Sequence, residues 1–589
     1  MKLNKYLLLV AAGAVAFTTG CDQDELDIPQ KGVIDIADFY ATDADAESAV
    51  TIVYATTQKE FAHSSISGYN YGPYFALTNW MADDIWFSGT GTDDCVEQRH
   101  MHHFVFGTDH EDVNNSYFAL YQSIMKCNLV ISNFTEERLG SLSATQKRCV
   151  AEARAMRAFD YLTLGIYWGT PPIIEEVLDP ADRPTNAESQ EAVMDWVIKE
   201  CDLAIADLPW RNGPTDYEGA VRITKGFALA IKGKAMLWKD DYAGAKAALA
   251  EVINSGNYAL VPSDKMITLG HADGKGTSEA VFEFNYDGST LDADKFEPQS
   301  RGGWNDHNTF CMFRGGLMDG KWADDRIYTG GWQWLSPAGP FAEALIENDG
   351  MESVRRQAWI KTYDEILYDY KWESDGANFT PGKTEFKETD KKRGVKAGQR
   401  FFANTGYFQC KISSHPSQGD QLPAGYLNRN ASIMRYAEVL LMYAEACAQL
   451  GETSGDGLKA LNDIQNRAQS KTVSSELSLA AVQKEKQFEL WMEGCRFADL
   501  VRWGKKDKSM LETLKNADKY LPTLEDEIIN GGTKHKVLLK TDIVGLEADV
   551  YVQEFGDMLG FKEGQHELLP FPKRAMELNS GLKQNPGWE

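Results

Sequence analysis

Two blocks of this chain repeat apolar residues at the spacing of an α-helix, and this repetition limits the possible folds more than any other feature. The first block has apolar residues at positions i, i+4, i+7 and i+11, which are Ala155, Phe159, Leu162 and Ile166. The second block begins at Ile433 and continues with Ala437, Leu440, Leu441 and Ala444. Because residues at this spacing share one face of a helix, both blocks predict amphipathic helices that pack against a core.

The predicted helices are arranged in pairs. One pair covers residues 224–256 and another covers residues 433–468, so that each helix-turn-helix unit spans about 34 residues, the period of tetratricopeptide repeats. A longer helix is predicted from Leu479 to Val501, with Ser478 as its N-cap. One pair cannot bury its apolar face alone. We therefore expect a mainly α fold in which tetratricopeptide-like pairs stack into a scaffold.

The helical periodicity fades between the two blocks, where Gly, Asp and aromatic residues dominate. A loop region of this length inside a folded domain is usually functional. We expect one domain over residues 36–589, with helical repeats within 36–256 and 433–503. A loop-rich binding insert would occupy about 257–430, and a C-terminal segment would occupy 504–589.

The first residues have the layout of a bacterial signal peptide. Lys2 and Lys5 precede an apolar run over residues 6–17, and small residues then lead into Cys21. The apolar run is shorter than the ~20 residues that a membrane-spanning helix needs. We expect cleavage after residue 20 and a lipid on the Cys21 sulfur. The acidic residues that follow make 21–35 a flexible tether, with little apolar surface to bury.

Charge and cysteine usage exclude several classes of function. The net charge of −27 argues against nucleic-acid binding and against adhesion to anionic lipid, both of which need a basic surface. Besides Cys21 the chain has eight cysteines and no CxxC pair, so neither a zinc ribbon nor a thioredoxin-type redox site is indicated. Cys447 and Cys495 lie beside Ala and Leu on helical faces, and we expect mostly free, buried thiols.

The sequence contains no motif that indicates catalysis. HExxH, GxSxG and P-loop motifs are absent. Acidic pairs such as Asp83-Asp84 are numerous, but only their separation in space could identify a glycosidase. His100, His102 and His103 near Cys95 make a metal site conceivable, but such a cluster is more often a solvated loop, and the identity of any metal is unknown. We expect no cofactor and no enzyme activity; a structural calcium ion is possible but not indicated.

Several segments are conspicuous by their order and spacing. They are Arg435 to Ala446 (RYAEVLLMYAEA), Glu493-Gly494, Arg502 to Gly504 (RWG), Leu568 to Pro572 (LLPFP) and Gln584 to Trp588 (QNPGW). Together they resemble the SusD/RagB family of outer-membrane nutrient-binding lipoproteins of the Bacteroidetes. The chain departs from the family pattern at Lys486, Ala575 and Trp168-Gly169-Thr170. These departures concern packing and capping positions. We interpret four charged motif residues as forming ion pairs between helices, namely Glu438, Glu445, Arg496 and Arg502.

The resemblance implies a fold, a partner and a location. The fold would have about four tetratricopeptide-like helix pairs and a long loop-rich ligand-binding face. The partner would be a SusC-type TonB-dependent transporter, over which the lipoprotein sits as a lid. The chain would be lipid-anchored in the outer membrane, facing the cell exterior, and would capture oligosaccharides without cleaving them.

Aromatic residues in two segments suggest the ligand-binding residues. An aromatic ring offers a flat face to the apolar C–H groups of a sugar, while polar side chains bind its hydroxyl groups. The predicted stacking residues are Tyr74, Trp86, Trp304, Trp332 and Trp334. The predicted polar partners are Arg301, Asn305, Asp306 and Gln333. Large aromatics are more often buried in a core, and we assign Trp80 to the core.

Three other functions stay open at this stage. RagB-type members of the family serve peptide uptake, and peptides also bind aromatic clefts. A surface glycosidase is a less favoured alternative, and a purely structural helical-repeat adaptor is a third. The sequence does not indicate which sugar, linkage or peptide would be captured.

Overall fold

The structure is a computed structural model that describes eleven stretches of the 589-residue chain. They are residues 39–61, 73–87, 96–286, 335–362, 373–374, 377–378, 407–413, 429–515, 527–530, 533–536 and 560–589. The described chain is mainly α-helical, as the sequence predicts. None of its helices combines the length and the apolar character needed to cross a membrane.

The helices lie mainly in the two blocks that the periodicity identified. In chain order they are α1 (Asp43–Phe61), α2 (Pro73–Asn79), α3 (Val96–His102), α4 (Glu111–Asn133), α5 (Glu136–Leu139), α6 (Ala144–Trp168), α7 (Gln190–Ile205), α8 (Glu218–Val221), α9 (Lys225–Trp238), α10 (Tyr242–Asn254), α11 (Gly339–Asp349), α12 (Val354–Trp359), α13 (Tyr436–Gln449), α14 (Asp456–Arg467), α15 (Leu479–Glu489), α16 (Arg496–Gly504), α17 (Glu512–Lys515) and α18 (Lys573–Leu578). Short 3₁₀ turns cover Ser263–Thr268, Ala272–Gly274 and Lys508–Leu511.

The long helices pack in series and build the core. Helix α1 contacts α4, α4 contacts α6, α6 contacts α7, and α7 contacts α9; α9, α10, α13 and α14 then follow in the same manner. Their inward residues form one continuous apolar cluster. The predicted helices at 224–238 and 242–256 are confirmed as α9 and α10. The grouping of these helices into tetratricopeptide-like pairs stays a prediction.

Helix α6 shows how the sequence fixes an element at both ends. Ser143 caps the N-terminus by accepting a hydrogen bond from the Gln146 N–H at 3.1 Å, and the Gln146 side chain accepts from the Ser143 N–H at 3.0 Å. This reciprocal pair is a capping box. The helix ends at Gly169, whose φ of 72° lies in the region that favours glycine. The predicted stripe from Ala155 to Ile166 is buried along its length.

The strands are short and pair two by two in antiparallel fashion. They are β1 (Ile85–Phe87), β2 (Ala280–Phe284), β3 (Leu335–Pro337), β4 (Ile360–Thr362), β5 (Glu373–Ser374), β6 (Ala377–Asn378), β7 (Tyr407–Gln409), β8 (Ala431–Arg435), β9 (Glu527–Asn530) and β10 (Thr533–Lys536). The pairs are β1–β3, β2–β8, β4–β7, β5–β6 and β9–β10.

Two predicted helix boundaries are wrong. The second block does not begin at Ile433, because residues 431–435 form β8 on β2 and α13 begins at Tyr436. The helix predicted from Leu479 to Val501 is two helices, α15 and α16, with Ser478 capping the first. The chain turns between them at Gly494, where φ is 79° and a Cβ would stand 2.7 Å from the Thr78 hydroxyl oxygen.

The described part of the stretch predicted as a loop-rich insert contains helices α11 and α12 and strands β2 to β7. The insert itself stays a prediction. The apolar residues of α11 recur at helical spacing, with Phe341, Ala342 and Leu345 buried. The single-domain assignment over 36–589 is a prediction that the described stretches do not test.

Candidate ligand-binding face

Three chain segments that are far apart in the sequence meet at one place on the molecule. The Gln58 side chain, near the end of α1, donates a hydrogen bond to the Asn285 carbonyl at 2.8 Å. The Tyr286 hydroxyl donates to the Gln58 carbonyl at 3.3 Å, and the Tyr286 N–H donates to the Asn430 side chain at 3.1 Å. The end of β2, the end of α1 and the residue before β8 are therefore held together. We call this side of the molecule the candidate ligand-binding face.

The β1–β3 pair places Trp86, a predicted stacking residue, opposite the residues that follow Trp334 in the sequence. Trp86 is opposite Ser336, and Phe87 is opposite Leu335. Strand β1, which contains Trp86, therefore pairs with strand β3, which follows Trp334 in the sequence. Trp304, Trp332 and Trp334 lie outside the described residues, as do Arg301, Asn305, Asp306 and Gln333. Their ligand contacts stay predictions.

Tyr74 is a predicted site residue that lines a recess. This recess, which we call the β8 recess, is bordered by α2, β8 and the turn after α15, and its lining includes Tyr74, Asn79, Lys411, Asn430, Arg435 and Glu493. The Tyr74 ring is half-buried and packs on Phe159 with 5.7 Å between ring centroids. Tyr74 therefore lies at a concave surface with polar neighbours, and its contact with a ligand stays a prediction.

Trp86 does not occupy the position that sugar stacking requires. It is 4% exposed and belongs to the apolar core, with its ring 6.4 Å from that of His102. A ring buried to this extent presents no face on which a sugar could stack. Both Ile85 and Trp86 pack into the core where β1 pairs with β3. Trp80, assigned to the core, is 2% exposed and confirms that assignment.

Lys411 provides a buried cation beneath the β8 recess. Its ammonium donates to the Trp491 carbonyl at 2.7 Å, to the Glu489 carbonyl at 3.1 Å, and to the Glu493 carboxylate. The same ammonium lies 3.4 Å from the centroid of the Trp359 ring. Burial lowers the pKa of Lys411 to about 8, although Glu493 acts in the opposite direction. All three of its protons are thus used to hold the turn after α15.

Arg435 continues this polar floor into a buried ionic network. Its guanidinium donates to Glu493 at 2.9 Å, to Glu279 at 2.7 Å and to Glu489 at 3.1 Å. Burial alone would raise the pKa of Glu489, but Arg467, Arg435 and Arg355 lower it to about 2. Glu489 is therefore ionised at any physiological pH. The network links β2, β8, α12, α14 and α15 and gives the recess a rigid floor.

The acidic pair Asp83-Asp84 is explained by the core and not by catalysis. Arg496 binds Asp83 through two hydrogen bonds of 2.7 and 2.9 Å. Asp84 is 1% exposed, and burial, together with the Asp83 carboxylate, raises the pKa of Asp84 to about 8. A substrate has no access to a carboxyl group this deeply buried.

No metal centre is assembled by the described residues. Among them, no group of three or more His, Cys, Asp or Glu side chains is positioned to hold an ion. His102 is buried, and its Nδ1 lies 2.8 Å from the Trp80 carbonyl oxygen, which ties α3 to the core. Cys95, the other member of the suggested cluster, lies outside the described residues.

Other interpretations from the sequence hold in the structure. The predicted ion pairs are present: Glu445 binds Arg502 at 2.6 and 2.9 Å, and Glu438 binds Lys234 at 2.8 Å. Lys486, one of the departures from the family pattern, lies 3.2 Å from Glu445 and so keeps a cation at that position. The cysteines within the described residues are free and buried, namely Cys127, Cys149, Cys201, Cys410, Cys447 and Cys495.

Sequence reasoning missed Lys411 and Asn430 as lining residues. Neither lies in a periodic segment or a motif, and each reaches the recess only through the pairing of β8 with β2 and of β7 with β4. Arg435 and Glu493 belong to the motif segments, but their place at the recess depends on contacts far apart in the sequence.

Comparison with known proteins identifies the family. The model of the SusD family matches residues 238–588. A SusD-like protein of Bacteroides ovatus is 25% identical over 85% of this chain and 83% of its own length. The SusD-like protein P38 of Formosa agariphila is 23% identical over 65% of this chain and 71% of its own length.

Solved structures share the fold over nearly the whole chain. A laminarin-binding SusD-like protein superposes with a TM-score of 0.68 at 22% identity, covering 93% of this chain and all of its own. Surface glycan-binding protein A from Bacteroides thetaiotaomicron, in complex with laminarihexaose, gives a TM-score of 0.67 at 20% identity, covering 92% of this chain and all of its own. The chain belongs to the SusD family.

Proposed function

We propose that this protein is a cell-surface lipoprotein that captures oligosaccharides without cleaving them. It would then deliver them to a SusC-type TonB-dependent transporter in the outer membrane. The observation that carries the proposal is the match to the SusD family. Structural relatives that bind laminarin and laminarihexaose support it further. Those ligands belong to the relatives, and the sugar that this chain binds is left to experiment.

The arrangement of the candidate ligand-binding face supports a sugar as the ligand class. Tyr74 lines the β8 recess, and strand β1 pairs with β3, which begins at Leu335, the residue after the predicted stacking residue Trp334. Aromatic faces bind the C–H side of a pyranose ring, while amide and charged groups such as Asn430 bind hydroxyl groups. A network of buried ion pairs holds this floor in place, which reduces the entropy lost when a ligand binds.

The delivery step rests on the anchor and the family. A lipid on Cys21, followed by the acidic tether 21–35, would hold the protein at the outer membrane while leaving it free to move over a transporter. Two or more acyl chains are needed for stable anchoring, and a bacterial lipoprotein carries that number.

The experiment that tests the site is calorimetric titration of a Trp332→Ala/Trp334→Ala variant with an oligosaccharide that the wild type binds. Loss of both aromatic faces should weaken binding by at least about a hundredfold, because two stacking contacts disappear. Trp210→Ala is the matched control: Trp210 is a half-buried aromatic that packs beneath Lys225 in another region. Equal affinity in the wild type and the double variant, with the fold intact, would remove these residues from the site.

A further inference from the structure

A second recess lies on the other side of the Gln58–Asn285 contact, between α1, α8 and the end of β2. We call it the α1 recess; its lining includes Tyr54, Gln58, Glu218, Arg222, Phe284 and Asn285. Its cavity volume is about 290 Å³, which is close to the lower end of the range of small-ligand sites. None of the residues predicted to bind a ligand belongs to it, so the capture site proposed above does not explain it.

One tyrosine, Tyr54, lines the α1 recess, and a second, Tyr217, lies beside its lining residues Glu218 and Asn285. The Tyr54 hydroxyl donates to Glu152 at 2.9 Å and accepts from the Ile223 N–H at 2.8 Å, so its ring is fixed at the wall. Tyr217, next to Glu218 at the rim, is 42% exposed, and its hydroxyl donates to the Asn285 side chain at 2.8 Å. An exposed aromatic ring held by a hydrogen bond can bind a ligand with little loss of side-chain entropy.

Polar groups around this aromatic surface have unused bonding capacity. The Gln58 amide bonds through one end to the Asn285 carbonyl, and the Asn285 amide bonds through one end to Tyr217. Within the described structure the other end of each amide has no partner. Arg222 uses Nε and one terminal nitrogen for Glu152 and Glu47, while its Nη1 has only Glu218, at 4.0 Å. The recess therefore offers at least one acceptor and two donors to a ligand.

The local charge disfavours an anionic ligand. Two arginines, Arg148 and Arg222, lie among three acids, Glu47, Glu152 and Glu218. The local balance is therefore −1, and the whole chain carries −27. An anionic ligand would be repelled, and Arg222 is already neutralised by its two carboxylate partners. Fixed aromatic surface with amide and guanidinium groups at its edge is instead the chemistry that binds a sugar ring.

We propose that the α1 recess is a second glycan subsite, distinct from the site predicted around Trp332 and Trp334. A sugar ring lies against Tyr217 and Tyr54, and its hydroxyl groups bond to Gln58, Asn285 and Arg222. The ligand class rests on the proposed function, whereas the location does not. Two subsites would let the protein hold a long chain at two points, which raises the apparent affinity for polysaccharide over short oligosaccharides.

Native mass spectrometry tests the inference by counting bound sugars. The probes are laminarihexaose, maltohexaose, cellohexaose and mannohexaose, each at millimolar concentration. The wild type should carry two molecules of the probe it accepts, Tyr217→Ala/Asn285→Ala should carry one, and Trp332→Ala/Trp334→Ala should carry one. Leu203→Ala, which removes an exposed apolar side chain on α7, should still carry two. Thermal unfolding of each variant verifies the fold.

The outcomes separate this inference from the proposed function. If the wild type carries one molecule and Tyr217→Ala/Asn285→Ala retains it unchanged, the second subsite is wrong and glycan capture stands. If the wild type carries none of the probes while a peptide binds instead, both are wrong. Tyr217→Phe keeps the ring and loses the hydrogen bond, so it should retain the second molecule with an affinity about tenfold weaker; full loss would contradict stacking as the main contact.

Discussion

Single charged residues determine how firmly the floor of the β8 recess is held. Glu489 is fully buried and accepts hydrogen bonds from Arg355, Arg435 and Arg467. Burying an ion costs free energy, and only complete pairing offsets that cost. Removal of one partner therefore leaves charges that neither water nor protein compensates. The network is therefore most sensitive to the loss of a single charged side chain.

Replacing Glu489 with Gln should destabilise the protein by about 3 kcal/mol at pH 7, because three arginines lose a shared counter-charge. The folded-state pKa of Glu489 is about 2, below its ordinary value of 4.5. Its carboxylate therefore stabilises the fold above pH 4.5, and this contribution is lost as the pH falls towards 2. The difference in urea unfolding free energy between wild type and variant should shrink between pH 5 and pH 3.

Glu251→Gln is the matched control for this change. Glu251 pairs with Lys225 at 3.0 Å, but its side chain is 49% exposed, so its loss should cost under about 1 kcal/mol. Equal effects of the two substitutions, or a difference that does not depend on pH, would contradict the role given to Glu489.

At the scale of elements, the close packing of α9 on α10 requires a residue without a side chain at the contact. A Cβ at Gly233 would stand 2.7 Å from the Leu249 side chain, because the two helices approach closely at this glycine. Gly233→Leu should therefore destabilise the protein by about 2 kcal/mol through overpacking. Ala243→Leu, at an exposed position of α10, should change stability by less than about 0.5 kcal/mol. Thermal unfolding measures both, and a neutral Gly233→Leu would contradict the packing described.

The elements also show what the sequence could and could not predict. Helices α6, α9, α10 and α14 were predictable because local periodicity and caps such as Ser143 define them. Strand β8 was missed because residues 431–435 have an apolar pattern that suits a helix, and only pairing with β2 makes them a strand. The break after Glu489 was missed because Lys411, distant in sequence, binds the carbonyls of Glu489 and Trp491.

The candidate site was predictable only in part for the same reason. Tyr74 is predicted from aromatic content; it lines the β8 recess, and its ligand contact stays a prediction. Trp86 has the same composition signal, but the β1–β3 pair buries it. Lys411 and Asn430 carry no sequence signal, since long-range strand pairing brings them to the recess. The α1 recess likewise joins Gln58 and Asn285, which are 227 residues apart.

At the scale of the whole molecule, the proposed tether links binding to uptake. Cys21→Ala should remove the lipid and release the protein from the membrane, so that growth on the bound glycan falls in cells that carry only the variant. Affinity for the glycan in solution should not change, because Cys21 is remote in sequence from the predicted binding residues. Unimpaired growth with the unanchored variant would contradict the delivery step while leaving capture intact.

Binding of the mature chain to an array of oligosaccharides and peptides tests the central claim most directly. The bound ligand is then recovered and its reducing ends are counted. The account predicts retention of one class of oligosaccharide, no retention of peptides, and a ligand recovered at its original length. Retention of peptides alone, or new reducing ends after prolonged incubation, would contradict non-catalytic glycan capture.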